Sequence, residues 1–143
     1  VWNAGLIYYL YPGADGLNYP EIYASLGWEW LTGKISYSND FGNSGESAFY
    51  YEANATYELP ANFGVNAHVG YSDGDAIDLL YEDSYMDWAV GVTYDWSNFT
   101  FGLKYADGSD LSLLDGTPDD VLSSEGVAIF SISTSFPWSN GEE

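Results

Sequence analysis

A stretch of strict alternation between apolar and polar residues, from Phe49 to Ser72, constrains the fold of this chain most. Every second residue is apolar up to Leu59, and the pattern resumes from Phe63 after Pro60-Ala61-Asn62. A period of two residues predicts β-strands with one apolar and one polar face, here long enough to cross a bilayer when tilted. A short turn would place both apolar sets on one face of a hairpin. The predicted cross-strand pairs are Leu59 with Phe63, Tyr57 with Val65 and Tyr51 with Tyr71.

The same alternation recurs along the chain and predicts eight strands, joined alternately by long and short connections. The short turns are predicted at Thr32-Gly33, at Pro60 to Asn62 and at Ser97-Asn98. These turns would place Trp30 opposite Ile35, Trp28 opposite Tyr37, Trp96 opposite Phe99, and Tyr94 opposite Phe101. All the long connections then fall at the opposite end of the sheet, and almost no helix is expected.

Composition excludes several classes of protein. The formal charge is −20 with only two lysines, Lys34 and Lys104, so no basic patch for a nucleic acid can form. Cysteine is absent, which excludes disulfides and thiolate metal sites. No apolar run is long enough for a membrane helix, so any crossing of a membrane must use strands. Aromatic residues make up 19% of the chain, as is typical of proteins with interfacial aromatic belts.

The arrangement of the connections favours a membrane barrel. Short turns at one end and long loops at the other are typical of outer-membrane proteins, and 13 of the 22 acidic residues lie in or beside the long connections. We therefore predict an all-β, antiparallel, up-and-down transmembrane β-barrel. The aromatic girdle beside the short turns would consist of Trp28, Trp30, Tyr57, Phe63, Trp96 and Phe99. The alternative is a secreted soluble β-sandwich that binds carbohydrate, calcium or both.

The polar face would line the interior of the barrel, and its predicted residues are Glu29, Lys34, Glu52, Asn54, Glu58, His68, Asp95 and Lys104. Carboxylates outnumber lysines in this set, which favours a wet interior that attracts cations. Equally, these groups could satisfy one another in a packed interior, because small barrels are filled by side chains. Glycines on this face would either leave room for a channel or accommodate Tyr9, Tyr23 and Tyr50.

No enzyme and no cofactor are predicted. A pair formed by His68 and Glu52 could transfer protons, but no nucleophile accompanies it. The acidic loop from Asp73 to Asp83 suggests weak calcium binding at Asp73, Asp75 and Asp78, because hard cations prefer carboxylate oxygens. Its spacing does not match the EF-hand loop, so a solvated acidic loop is the preferred interpretation and no metal site is assigned.

Four segments resemble a known family. They are GLIYYLYPGADG (Gly5 to Gly16), YPEIY (Tyr19 to Tyr23), SYSNDF (Ser36 to Phe41) and ELPANFGVNAHVGY (Glu58 to Tyr71). They resemble the TorF-family porins, also described as the Gcw_chp family of bacterial outer-membrane proteins. The resemblance implies an outer-membrane location and a porin-like role, and it gives no substrate or catalytic residue. Family members are longer, so we expect this chain to be part of a larger barrel of about a dozen strands.

The predicted barrel also has expected boundaries and partners. Residues 1–136 would form the barrel strands and loops, with Phe136 as the terminal aromatic, and residues 137–143 would form a polar tail. The expected partners are the lipid bilayer, lipopolysaccharide and the barrel-assembly machinery, and a homo-oligomer is compatible with this fold. The expected function is passive diffusion of small cationic or neutral solutes, or a structural barrel.

Overall fold

The computed structural model describes residues 1–81, 83–109 and 125–135, which form one antiparallel sheet of eight strands. Each strand pairs with the next one along the chain, so the predicted all-β, up-and-down arrangement is confirmed. In this part of the chain, β1 and β8 are the two edge strands. The strands are β1 (Trp2–Tyr9), β2 (Tyr19–Trp28), β3 (Leu31–Ser38), β4 (Ala48–Leu59), β5 (Phe63–Asp73), β6 (Tyr85–Trp96), β7 (Phe99–Ser109) and β8 (Val127–Thr134).

The register of two hairpins follows from alternation and turn length. In the β4–β5 hairpin, the three predicted pairs are present, and Leu59 lies opposite Phe63. Ala61 and Asn62 close this turn with φ angles of 63° each, in the left-handed region that tight turns use. In the β6–β7 hairpin, Trp96 lies opposite Phe99 and Tyr94 opposite Phe101, as predicted.

The first short turn was predicted wrongly. It lies at Glu29 and Trp30, not at Thr32-Gly33, so Trp28 pairs with Leu31. The predicted pairs of Trp30 with Ile35 and Trp28 with Tyr37 are therefore absent. Thr-Gly lacks the Asn or Asp that favours left-handed backbone at the first turn position, and Glu29 adopts that conformation instead, with φ of 52°. The register shift is even, so every strand residue keeps its predicted face.

The connections at the other end of the sheet are longer and contain short helices. Two 3₁₀ turns, Asp15–Leu17 and Phe41–Asn43, lie in the first two long connections. The segment predicted as a loop from Asp73 to Asp83 contains a helix of seven residues, α1 (Asp75–Tyr81). Asp75 and Asp78 lie in its first turn, where their negative charges interact favourably with the positive end of the helix dipole and stabilise the helix.

Buried apolar side chains gather at this same end of the sheet. Ala48, Ala76 and Ile77 are buried together, because α1 folds back onto the start of β4. Partly buried rings surround them, and we call the whole group the loop-end cluster; these rings are Phe41, Tyr81 and Tyr85. Burial raises the pKa of the Tyr81 phenol, and the nearby Tyr85 adds to the effect.

The two faces of the sheet differ in chemistry and exposure. The apolar face carries large side chains that are largely exposed, such as Trp28 at 75% and Phe130 at 66%. Most polar-face side chains of β2 to β6 are buried or half-buried away from the short turns. The described residues form a single sheet, so they provide no second sheet to cover the apolar face as a β-sandwich would. In the same residues, no helix is long and apolar enough to cross a membrane.

Several predictions of the sequence fall outside the described residues. These concern Phe136 as the last residue of the barrel, the tail at 137–143, and the acidic residues Glu82, Asp110, Asp115, Asp119 and Asp120.

Candidate functional site

Polar side chains from neighbouring strands meet on the polar face, at the middle of the sheet. The alternation of β4, β5 and β6 projects Tyr50, His68 and Asp87 toward one another. The Tyr50 hydroxyl donates to Asp87, at 3.0 Å from Oδ2, and lies 3.0 Å from Nε2 of His68. The same Nε2 lies 2.8 Å from Oδ1 of Asp87. Three strands are thus joined by side chains as well as by their backbone ladders.

Asn54 holds the other side of the His68 ring. The register predicted for the β4–β5 hairpin also places Asn54 opposite His68, as the structure has it, and Oδ1 of Asn54 is 2.7 Å from Nδ1. The amide nitrogen of Asn54 donates to Oε1 of Glu52 at 3.4 Å, which orients the amide so that its oxygen faces the ring. Nδ1 of His68 is therefore the donor to Asn54. Because the Tyr50 hydroxyl directs its one proton at Asp87, the 2.8 Å contact between Nε2 and Oδ1 of Asp87 is a hydrogen bond in which Nε2 donates.

Gly70 makes the contact between Tyr50 and Asp87 possible. Gly70 lies on β5, between the two strands that carry these side chains, and it pairs with both Glu52 and Asp87. A Cβ at this position would overlap the Tyr50 hydroxyl and Oδ2 of Asp87. The sequence left open whether such glycines leave a channel or accommodate tyrosines, and at Gly70 the space is filled by Tyr50.

Lys34 extends the group to β3 and β2. Its ammonium lies 3.9 Å from Oε1 of Glu52 and 5.1 Å from the centre of the Tyr23 ring. Both contacts suit a cation, because the carboxylate and the face of an aromatic ring are negative. We call the connected side chains the polar-face network; they are Tyr23, Lys34, Tyr50, Glu52, Asn54, His68 and Asp87.

The predicted lining residues divide into two groups. Four of them belong to the polar-face network, namely Lys34, Glu52, Asn54 and His68. A fifth, Lys104, lines a recess on the polar face together with His68. The other three lie near the short turns. Glu58 and Asp95 are exposed there, and Asp95 accepts a hydrogen bond from Thr100.

Glu29 is a correction. It was predicted on the polar face of a strand, but it is an exposed turn residue with left-handed backbone. Its carboxylate therefore does not belong to the row of polar-face side chains on β2.

Tyr50 and Asp87 were not predicted as site residues, although both lie at polar-face positions of their strands. The register of β5 with β6 brings them together, and these strands are joined by the connection that contains α1. A long connection does not fix register as a tight turn does. The sequence signal for these two residues was Gly70, because a glycine on the polar face leaves space for a large side chain from a neighbouring strand.

The girdle residues lie on the apolar face or in the turns at the short-turn end. The exposed fraction is 75% for Trp28, 61% for Trp96 and 55% for Tyr57. Phe63 is 41% exposed and its ring packs against that of Tyr94, with 4.8 Å between their centres. Trp30 and Phe99, the other two, are 51% and 37% exposed.

The three aspartates considered for calcium do not converge. Asp73 ends β5, whereas Asp75 and Asp78 belong to the first turn of α1. Across the described ranges, no three His, Cys, Asp or Glu side chains are grouped so that they could hold a metal ion.

Comparison with protein families gives a match over most of the chain. Residues 1–136 match the family model described as "Bacterial protein of unknown function (Gcw_chp)". No curated protein and no solved structure matches the chain.

Proposed function

Because the chain belongs to the Gcw_chp family of bacterial proteins, whose function is unknown, we propose its role from the placement of its side chains. The sheet is the wall of an outer-membrane β-barrel, and the polar face lines a porin-like interior. The protein acts passively and admits small cationic or neutral solutes, and it catalyses no reaction. The resemblance of four segments to the TorF-family porins favours the same role.

One observation carries this proposal, namely the exposed apolar face. Leu26, Trp28 and Phe130 are 68%, 75% and 66% exposed, and the strands between them carry similar side chains. Leaving one such side chain in water costs about 1.5–3 kcal/mol relative to burying it. A whole face of them is stable only against an apolar medium. Lipid supplies that medium, and the aromatic residues beside the short turns suit the interface of a bilayer.

The charges of the polar face support a preference for cations. Glu52, Asp87 and the more distant Glu58 and Asp95 outnumber the two lysines, and the whole chain carries −20. Carboxylates along a confined path raise the local concentration of cations and repel anions. The acidic long connections would add to this field at one entrance.

Quenching by brominated lipid tests the membrane location. A variant that keeps Trp28 as its only tryptophan should be quenched strongly in vesicles of brominated phosphatidylcholine. The matched control has all tryptophans replaced and carries Tyr23→Trp, on the polar face of the same strand. This control should be quenched weakly. Equal quenching of the two, or none of either, would refute the proposal.

Recording from planar bilayers tests the porin-like role separately. The purified protein should give conductance steps with a reversal potential that indicates cation selectivity. Silent insertion, with quenching of Trp28 intact, would instead identify a structural barrel with a packed interior. Anion selectivity would contradict the assignment of the polar face to the interior.

A further inference from the structure

A second recess opens on the polar face, between the polar-face network and the loop-end cluster. Its volume is about 320 Å³, within the range of small-ligand sites. Strands β2 to β6 and helix α1 all contribute to its walls. We call it the loop-end pocket.

The pocket contains a buried hydroxyl that none of the described residues pairs with. Ser36 is 3% exposed, and among the described residues its Oγ has no hydrogen-bond partner. Ser38 is equally buried, but its Oγ accepts a hydrogen bond from the Asp40 amide. A buried polar group without a partner is unfavourable and therefore uncommon in folded proteins. The Ser36 hydroxyl lines the pocket, so a ligand there is placed to satisfy it.

The remaining lining combines hydrogen-bonding groups with rings. Ser72, which is 6% exposed, adds a further hydroxyl from β5. Glu21 and Asp87 provide carboxylate acceptors on opposite sides, from β2 and β6. The rings of Phe41 and Tyr85 line the side toward the loop-end cluster.

We infer that the loop-end pocket binds a neutral polyhydroxylated solute of monosaccharide size. Serine hydroxyls both donate and accept, and carboxylates accept from the hydroxyl groups of a sugar. Aromatic rings offer flat apolar surface to the C–H face of such a ring. Neither lysine of the chain lines the pocket, so an anionic solute finds no counter-charge there.

This inference goes beyond the proposed function, because a pocket can bind a sugar whether or not the interior conducts. The two are tested by different measurements. Binding without conductance would leave the pocket established and the porin-like role refuted, and conductance without binding would do the reverse.

Calorimetric titration of the full chain tests the inference. The protein is held in a zwitterionic detergent without a sugar headgroup, since such a headgroup would compete for the pocket. The probes are glucose, galactose and xylose, with tetramethylammonium and glucuronate as charged comparisons. We expect saturable binding of at least one neutral sugar and none of glucuronate. Absence of binding by every neutral sugar, or binding of tetramethylammonium alone, overturns the inference.

Substitutions locate the binding. Ser36→Ala should weaken the affinity for the bound sugar about five- to tenfold, the value of one hydrogen bond. The matched control is Ser25→Ala. Ser25 lies on the polar face of the neighbouring strand β2 and does not line the pocket, so this substitution should leave the affinity unchanged. Equal affinities for Ser36→Ala and the unaltered protein would refute the assignment.

A second substitution guards against a failure of Ser36→Ala to fold. Glu21→Gln keeps the shape of the side chain and one acceptor oxygen but removes the charge. It should weaken sugar binding severalfold because hydrogen bonds to a charged acceptor are stronger than those to a neutral one. An unchanged affinity in Glu21→Gln would contradict the proposed position of the sugar.

Discussion

Tyr50 reaches Asp87 across an intervening strand because Gly70 has no side chain at the crossing point. The three residues come from three strands, and each is ordinary when read alone. Alternation assigned all of them to the polar face, and the turn at Pro60 to Asn62 correctly placed Asn54 opposite His68. The sequence could not place Asp87, because no tight turn fixes the register of β6 against β5.

Gly70→Val should disrupt the polar-face network. The added side chain would occupy the space of the Tyr50 hydroxyl and of the Asp87 carboxylate, so at least one hydrogen bond between them would break. We expect the free energy of unfolding, measured by urea titration in vesicles, to fall by about 1–3 kcal/mol. Gly16→Ala is the control, since nothing lies within 4 Å of a Cβ placed there, and it should change little. Equal effects of the two substitutions would argue against this role of Gly70.

Tyr50→Phe tests the hydroxyl alone. The ring would remain, but Asp87 and His68 would each lose one contact. The expected loss in free energy of unfolding is about 1–2 kcal/mol, because the acceptor is charged. Tyr57→Phe, on the exposed apolar face, should have an effect near zero. A stability of Tyr50→Phe equal to that of the unaltered protein would show that the network contributes nothing measurable.

The strands illustrate where sequence patterns decide structure and where they do not. All eight were predicted, because alternation of period two is clean over seven of them and, less cleanly, extends over the last. The face on which each strand residue lies could also be predicted, since a shift in register by an even number of residues leaves every side chain on the same face. The turn between β2 and β3 could not, because Thr32-Gly33 is a glycine-containing pair that resembles a turn, whereas Glu29 gives no such signal.

Glu29→Gly should stabilise this hairpin. Glu29 has a φ of 52°, a left-handed conformation that disfavours a side chain with a Cβ. Glycine relieves that cost but adds freedom to the unfolded chain, so the net gain is about 0.5–1 kcal/mol. Glu58→Gly provides the contrast, because Glu58 lies in the regular part of β4 and its loss should destabilise. Urea titration of both variants measures the difference in free energy of unfolding. Destabilisation by Glu29→Gly would contradict a turn at Glu29 and Trp30.

At the scale of the whole molecule, the sheet presents one apolar face and one polar face. The sequence could predict this division because it follows from parity alone. It could not predict the loop-end cluster, since helix α1 forms within a segment so acidic that it was interpreted as a solvated loop. Burial of Ala76 and Ile77 outweighs that local preference.

Glu52→Gln should reduce the preference for cations if the interior conducts. Glu52 lies beside Lys34 in the polar-face network, so its removal leaves the lysine with less counter-charge. The reversal potential in a salt gradient should shift toward zero. Glu46→Gln, in the exposed connection before β4, is the control. The effect of Glu46→Gln on the reversal potential should vanish at physiological salt, where electric fields in water decay over about 8 Å. A larger shift for Glu46→Gln would place selectivity at the mouth.

The hydrogen bond between Tyr50 and Asp87 has a mechanical meaning. Neighbouring strands lie about 4.8 Å apart, so a flat sheet would hold β4 and β6 roughly 10 Å from each other. The side chains of Tyr50 and Asp87 together bridge this distance and meet at 3.0 Å, so their hydrogen bond joins two strands that are not neighbours in the sheet. A slip of β6 along β5 by two residues, about 7 Å, would break this hydrogen bond. The bond therefore helps to hold the register of β6 against β5, which no tight turn fixes.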